Sequence, residues 1–147
     1  MNGADAFFVD TNVLLYAADP GEPRKQEMAR RWLAGLWQSG SGRLSWQVLH
    51  EYYGNAVRNL GQPNPAARAT VEVFSSWRPV DTSLGLIQRA WLLSDEAQVA
   101  YWDALILAAA ERAGCPWLLS EDFQAGRQYG AVSVVNPFEA DPARFGI

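Results

Sequence analysis

The sequence predicts an α/β fold, a three-layer α/β/α sandwich around a central parallel sheet. Three observations point there. Short apolar runs alternate with longer segments of helical period. Turn signals separate them at short intervals, at Asp19-Pro20-Gly21, Ser39-Gly40-Ser41-Gly42, Gly61-Gln62-Pro63-Asn64-Pro65 and Gly114-Cys115-Pro116. No internal repeat, low-complexity tract or long linker interrupts the pattern. Short apolar strands joined by helices are parallel strands joined by crossovers, with both faces of the sheet covered.

The elements follow in order. Residues 6–10 read as a buried strand, 24–38 as a helix, 43–46 as a second strand and 47–60 as a second helix. Three more helices are expected over 64–77, 83–93 and 102–113, and strands over 117–120 and 132–135. In such sheets ligands bind beyond the carboxyl ends of the strands, which directs attention to Asp10 and to Ser120-Glu121-Asp122.

Bulk properties narrow the chemistry. A chain of 147 residues, 49% hydrophobic and with 7 Trp, suits one domain over residues 1–147 with one core. The longest apolar stretch, residues 104–110, is far short of the roughly 20 residues that span a bilayer, so no membrane association is expected. The start, Met-Asn-Gly-Ala-Asp, lacks the basic segment and apolar run of a signal peptide, and the cytoplasm is the expected compartment. Cys115 and His50 are the single residues of their types, which leaves no set of soft ligands for zinc or iron-sulfur. Any metal must be held by oxygen. A net charge of −4 argues against a protein that coats nucleic acid through many Lys and Arg contacts. Nucleic acid then enters only as a substrate drawn to a local site.

Four acids are candidates for that site. Phe7-Phe8-Val9-Asp10-Thr11-Asn12 places a carboxylate where an apolar strand ends. Asp10 is a natural N-cap for a following helix, but Thr11 and Asn12 beside it are also suited to orient it or a metal-bound water. Glu51 lies on the polar stripe Gln47, Glu51, Asn55 and Arg58, opposite an apolar arc of Val48, Leu49, Tyr52, Tyr53, Ala56, Val57 and Leu60. Asp103 stands on a helix apolar nearly all round and shares a face with Leu107 and Ala110. It is either a cap or first-turn acid favoured by the helix dipole, or a carboxylate kept for a cation. Leu118-Leu119-Ser120-Glu121-Asp122 repeats the pattern of Asp10, with Ser120 able to start a short helix. Gathered in one cleft, carboxylates about 4 Å apart repel by around 4 kcal/mol per pair at an effective dielectric of 20. Such a cluster is either protonated or holds a cation, and hard oxygen ligands suit Mg²⁺ or Mn²⁺. That combination suggests phosphodiester hydrolysis.

At these residues the chain resembles the PIN-domain ribonucleases, and among them the VapC-like toxins of prokaryotic toxin-antitoxin pairs. The segments that carry the likeness are Phe8-Val9-Asp10-Thr11-Asn12-Val13-Leu14-Leu15-Tyr16-Ala17, Ser45-Trp46-Gln47-Val48-Leu49-His50-Glu51-Tyr52-Tyr53, Trp102-Asp103-Ala104-Leu105-Ile106, Leu118-Leu119-Ser120-Glu121-Asp122-Phe123 and Val134-Val135-Asn136-Pro137-Phe138. The resemblance implies a metal-dependent endoribonuclease with Asp10, Glu51, Asp103 and Asp122 as catalytic, metal-binding acids for Mg²⁺ or Mn²⁺. Thr11, Asn12 and Ser120 would support them, and Glu121 is a candidate to share the role of Asp122. It also implies an RNA substrate, a cognate antitoxin protein and a homodimer. The large apolar residues Trp32, Leu33, Leu36 and Trp37 of one helix offer a surface for such association.

Two alternatives stand beside this reading. An inactive PIN-like interaction domain would keep the fold without the chemistry. A haloacid-dehalogenase-like phosphatase would need a second Asp two positions after Asp10, where this chain has Asn12.

Overall fold

The computed structural model describes residues 5–147. Among these, strands form at Phe7–Val9 (β1), Gly42–Arg43 (β2), Trp117–Leu119 (β3), Gln128–Tyr129 (β4) and Val132–Val135 (β5). Helices form at Thr11–Ala17 (α1), Pro23–Ser39 (α2), Trp46–Arg58 (α3), Asn64–Phe74 (α4), Leu84–Ala97 (α5) and Tyr101–Arg112 (α6), and a 3-10 turn at Pro142–Phe145. The strands make one sheet in the order β2-β1-β3-β5-β4, flanked by helices in an α/β/α sandwich.

Register decides where the polar residues fall. Phe7 lies opposite Trp117 and Val9 opposite Leu119 in a parallel pairing, and Leu119 lies opposite Val135. The ladder continues one residue past the strands, with the Asp10 N–H donating to the Leu119 carbonyl and the Ser120 N–H to the Val135 carbonyl, each at 3.1 Å. Asp10 and Ser120 are therefore neighbours fixed by the sheet itself. Phe7, Phe8, Val9, Leu118 and Leu119 are buried in the same core as the continuous apolar run of α6 from Ala104 to Ala110, Phe7 packing on Trp32 of α2.

The structure differs from the sequence expectation in four places. The sheet is mixed, because β4 runs antiparallel to β5. Only the two residues Gly130 and Ala131 connect them, too few for a crossover, and Gly130 takes the left-handed φ of 58° that such a tight turn requires. Helix α1 is not among the elements read from periodicity, since seven residues leave a period little room to show, and only the N-cap reading of Asp10 points to it. The strand expected over 43–46 stops at Arg43, because Ser45 instead caps α3, its Oγ accepting the Val48 N–H at 3.3 Å. The apolar residues of α2 offered as an association surface, not all of which need face the core, are largely core: Trp32, Leu33 and Leu36 are buried, and the Trp32 indole N–H donates to the Pro137 and Ala140 carbonyls at 3.0 Å. Trp37 alone of that group is exposed, packed on Phe74 and Trp77. Exposed apolar side chains cluster instead on α5, at Leu84, Trp91 and Leu92. No helix among the described residues is long and apolar enough to cross a membrane.

Candidate active site

Where β1 and β3 end, their side chains meet. The Asp10 carboxylate is buried, and its Oδ1 accepts the Thr11 N–H at 2.8 Å as the N-cap of α1. Its Oδ2 accepts the Ser120 hydroxyl at 2.7 Å and the Asn12 amide at 3.3 Å. Asp10 thus caps a helix and anchors a polar network at once; the two readings do not compete. Burial pushes its carboxyl up from 3.8 to about 7, opposed by the Ser120 and Thr11 hydrogen bonds and reinforced by the charges of Asp122 and Glu51.

Ser120 is fully buried and uses its whole hydrogen-bonding capacity. Its Oγ donates to Asp10 and accepts from the Asn12 side chain at 3.1 Å and from the Asp122 N–H at 3.0 Å. The last bond folds residues 120–122 into a turn, and the short helix that Ser120 was able to start does not form. The Asn12 Nδ2 also donates to Asp122 Oδ2 at 3.0 Å, so one amide links Asp10, Ser120 and Asp122.

Glu51 reaches the same network from α3. The Thr11 hydroxyl donates to its Oε1 at 2.7 Å. On its other side the Gln47 Nε2 lies 3.4 Å from Glu51 Oε2 and 3.3 Å from the Trp102 carbonyl, tying α3 to the first turn of α6. The Gln47 Oε1 is buried and has no partner among the described residues. Sequence reasoning left Gln47 unassigned, although its place one turn before Glu51 on the same stripe was the available signal.

Asp103 does not cap α6. The N-cap is Ala100, which has no side chain for the purpose, and Asp103 sits half-buried in the first turn with no side-chain hydrogen bond among the described residues. Burial raises its carboxyl, and the charges of Asp122 and Glu51 raise it further. Those couplings bring all four acids into one electrostatic neighbourhood, Asp10 and Asp103 each feeling both Glu51 and Asp122.

Glu121 points elsewhere. Its Oε2 pairs with the Lys25 ammonium at 2.8 Å, and that ammonium lies 4.6 Å from the centre of the Tyr16 ring. Lys25, at the start of α2, carried no signal in the sequence, because its partner is 96 positions away. Among the described residues no three or more His, Cys, Asp or Glu side chains stand close enough together to hold a metal ion as they are placed. The gathered carboxylates are spaced by donors from Thr11, Asn12 and Ser120, as mutually repelling anions require. In donor chemistry the set is hard oxygen throughout. Burial is the first cause of the raised Asp10 and Asp103 carboxyls and the neighbouring acids add to it, while the oxygen donors themselves are of the kind that hard divalent cations take.

The PIN domain family model matches residues 7–130, a span that includes all four acids. No curated protein sequence matches the chain. Among solved structures, a toxin-antitoxin complex from Klebsiella pneumoniae is similar with a TM-score of 0.63 and 19% identity, covering 90% of this chain and 97% of that one. The sarcin-ricin loop cleaving toxin VapC20 of Mycobacterium tuberculosis is similar with a TM-score of 0.61 and 24% identity, covering 80% and 92%. VapBC2 of Rickettsia felis, solved on a DNA fragment from its promoter, gives a TM-score of 0.64 and 16% identity, covering 89% and 98%. With the family model matched across most of its length and its fold shared with VapC toxins, the chain belongs to the PIN domain family.

Proposed function

We propose that this protein is a Mg²⁺- or Mn²⁺-dependent endoribonuclease, the toxin of a toxin-antitoxin pair, acting in the cytoplasm. The observation that supports the reading is the hydrogen-bond network through Thr11, Asn12 and Ser120 that ties Asp10 to Glu51 and to Asp122 where β1 and β3 end, with Asp103 within electrostatic reach of Glu51 and Asp122. These four would hold the ion. When bound, a divalent cation neutralises charge on a phosphodiester and lowers the pKa of a water, which is the chemistry hydrolysis needs.

The chain's own residues set the geometry. Ser120 and the Thr11 N–H fix both oxygens of Asp10, Thr11 restrains Glu51, and Asn12 holds Asp122 to Asp10. A network with its rotamers fixed loses little order when it engages a ligand. Asn12 also stands where a dehalogenase-type phosphatase would need a second acid, and here it serves as a donor.

Protein partners follow from the structural relatives, which are toxin-antitoxin complexes. We assign this chain a small antitoxin and a homodimer, with the exposed apolar residues of α5 as the helical surface available. The central test is cleavage of a mixed RNA with EDTA, then with Mg²⁺ or Mn²⁺. Cleavage that stops with EDTA and returns with metal supports the reading. Full activity without metal overturns the mechanism, and no cleavage under any condition leaves the inactive interaction domain. Expression alone should arrest growth, and co-expression of a cognate antitoxin, if one is encoded beside the gene, should relieve it.

A further inference from the structure

Glu51 is held from two sides. The Thr11 hydroxyl donates to its Oε1 at 2.7 Å, from the network around Asp10. Its Oε2 accepts the Gln47 Nε2 at 3.4 Å, and the second hydrogen of that amide goes to the Trp102 carbonyl at 3.3 Å. Gln47 stands one turn before Glu51 on α3, the spacing at which two side chains of a helix meet. Trp102 directly precedes Asp103 in the first turn of α6. A single amide thus joins the helix that carries Glu51 to the helix that carries Asp103.

The neighbours fix which way this amide faces. Turned over, it would set Oε1 against a carboxylate and a carbonyl, with no hydrogen between acceptors. In the donating orientation Oε1 is buried and has no partner among the described residues. A buried acceptor without a donor lowers stability, and a methionine of similar length would remove that penalty. Both donated bonds are long for N–H···O, so they offset little of it. The amide therefore adds little to the fold, and what it does contribute is the placement of Glu51.

We infer that Gln47 is a positioning residue for the metal site: anchored on the Trp102 carbonyl, it sets the Glu51 carboxylate relative to α6 and so to Asp103. The inference rests on the metal-dependent reading above. With Thr11 on one oxygen and Gln47 on the other, Glu51 has little orientational freedom left to lose when it meets a cation.

The test is Mn²⁺ binding by the full chain as wild type, Gln47→Met, Glu51→Gln and the double variant. Free Mn²⁺ is read from its electron paramagnetic resonance signal, and metal-free melting curves are recorded beside it. Gln47→Met should raise the Mn²⁺ Kd about 10–100-fold. Its metal-free melting temperature should stay at or above wild type, because the unpartnered acceptor leaves with the amide. Gln47→Leu should give the same result should methionine pack poorly. RNA cleavage by Gln47→Met should fall at limiting Mn²⁺ and recover as Mn²⁺ is raised. In the Glu51→Gln background the Gln47 change should add about twofold or less to Kd, because it acts through Glu51. A lower melting temperature with Kd unmoved would make Gln47 a plain tie between α3 and α6 and overturn the inference, while leaving the metal reading intact. An equal loss with and without Glu51 would overturn it as well, since the effect would not pass through that carboxylate. Absence of Mn²⁺ binding by wild type would remove the metal reading and the inference together.

Discussion

The Thr11 hydroxyl donates to the Glu51 carboxylate across 2.7 Å, joining the helix after the first strand to the helix after the second. It is the direct side-chain link between the buried Asp10 end of the site and Glu51 on α3. Thr11→Val keeps the shape and removes the donor, so Glu51 is freed to turn. RNA cleavage should fall about 10–100-fold, the usual loss when a residue that orients a metal ligand is changed, while Thr11→Ser should keep most activity. Equal activity in wild type and Thr11→Val would show that Glu51 needs no such restraint.

Asp103 caps nothing, so Asp103→Asn removes a negative charge and no helix-stabilising hydrogen bond. The variant should melt at or above the wild-type temperature without metal, because repulsion from Asp122 and Glu51 is relieved. Its RNA cleavage should fall by orders of magnitude. Melts with and without Mn²⁺ beside a cleavage assay decide the matter, and near-normal activity would take Asp103 out of the site.

Stability of the metal-free protein should fall as pH rises. Asp10 holds its proton in the folded state up to about 7 but releases it near 3.8 when unfolded, so between those values the native state binds more protons. Forcing that carboxyl to ionise costs about 4 kcal/mol from its shifted titration. Glu111 and Asp141, whose carboxyls are lowered by Arg89 and by the Ala143 N–H, lose their contributions only at more acid pH and do not mask the trend. Melting temperature should therefore drop from about pH 5 to about pH 8, more steeply than in Asp10→Asn, and Mg²⁺ or Mn²⁺ should restore it at the higher pH. A melting temperature that climbs across this range without metal would contradict the assignment.

Glu121 and Asp122 are adjacent in sequence and separated in role. Glu121 is held by Lys25, whereas Asp122 is joined to Asp10 through Asn12. Glu121→Gln should leave cleavage within about fivefold of wild type, the weight of a partly exposed ion pair. Asp122→Asn should lose about a hundredfold or more, as expected of a group that binds the ion. Comparable losses in the two variants would mean that they share the site.

Much of this molecule was legible along the chain. Apolar runs that end in Asp10 and in Ser120-Glu121-Asp122 mark strand exits, because a buried strand must be apolar and its first polar residue must face the sheet edge. The 3.6-residue period placed Glu51 on the polar stripe of α3 and Asp103 on the largely buried α6. Short-range signals failed where elements were too short to show a period, at α1 and at β4, and where a cap replaced a strand at Ser45. What only the tertiary structure decided is which groups meet. Ser120 and Asp10 are 110 positions apart and Thr11 and Glu51 are 40, so no local pattern encodes their contacts. The division of labour between Glu121 and Asp122 depends on Lys25, and the burial of Trp32, Leu33 and Leu36 depends on the chain's last segments folding over α2. Secondary structure follows from neighbours in sequence, whereas burial, charge coupling and hydrogen-bond partners follow from neighbours in space, which exist only once the sheet has set its register.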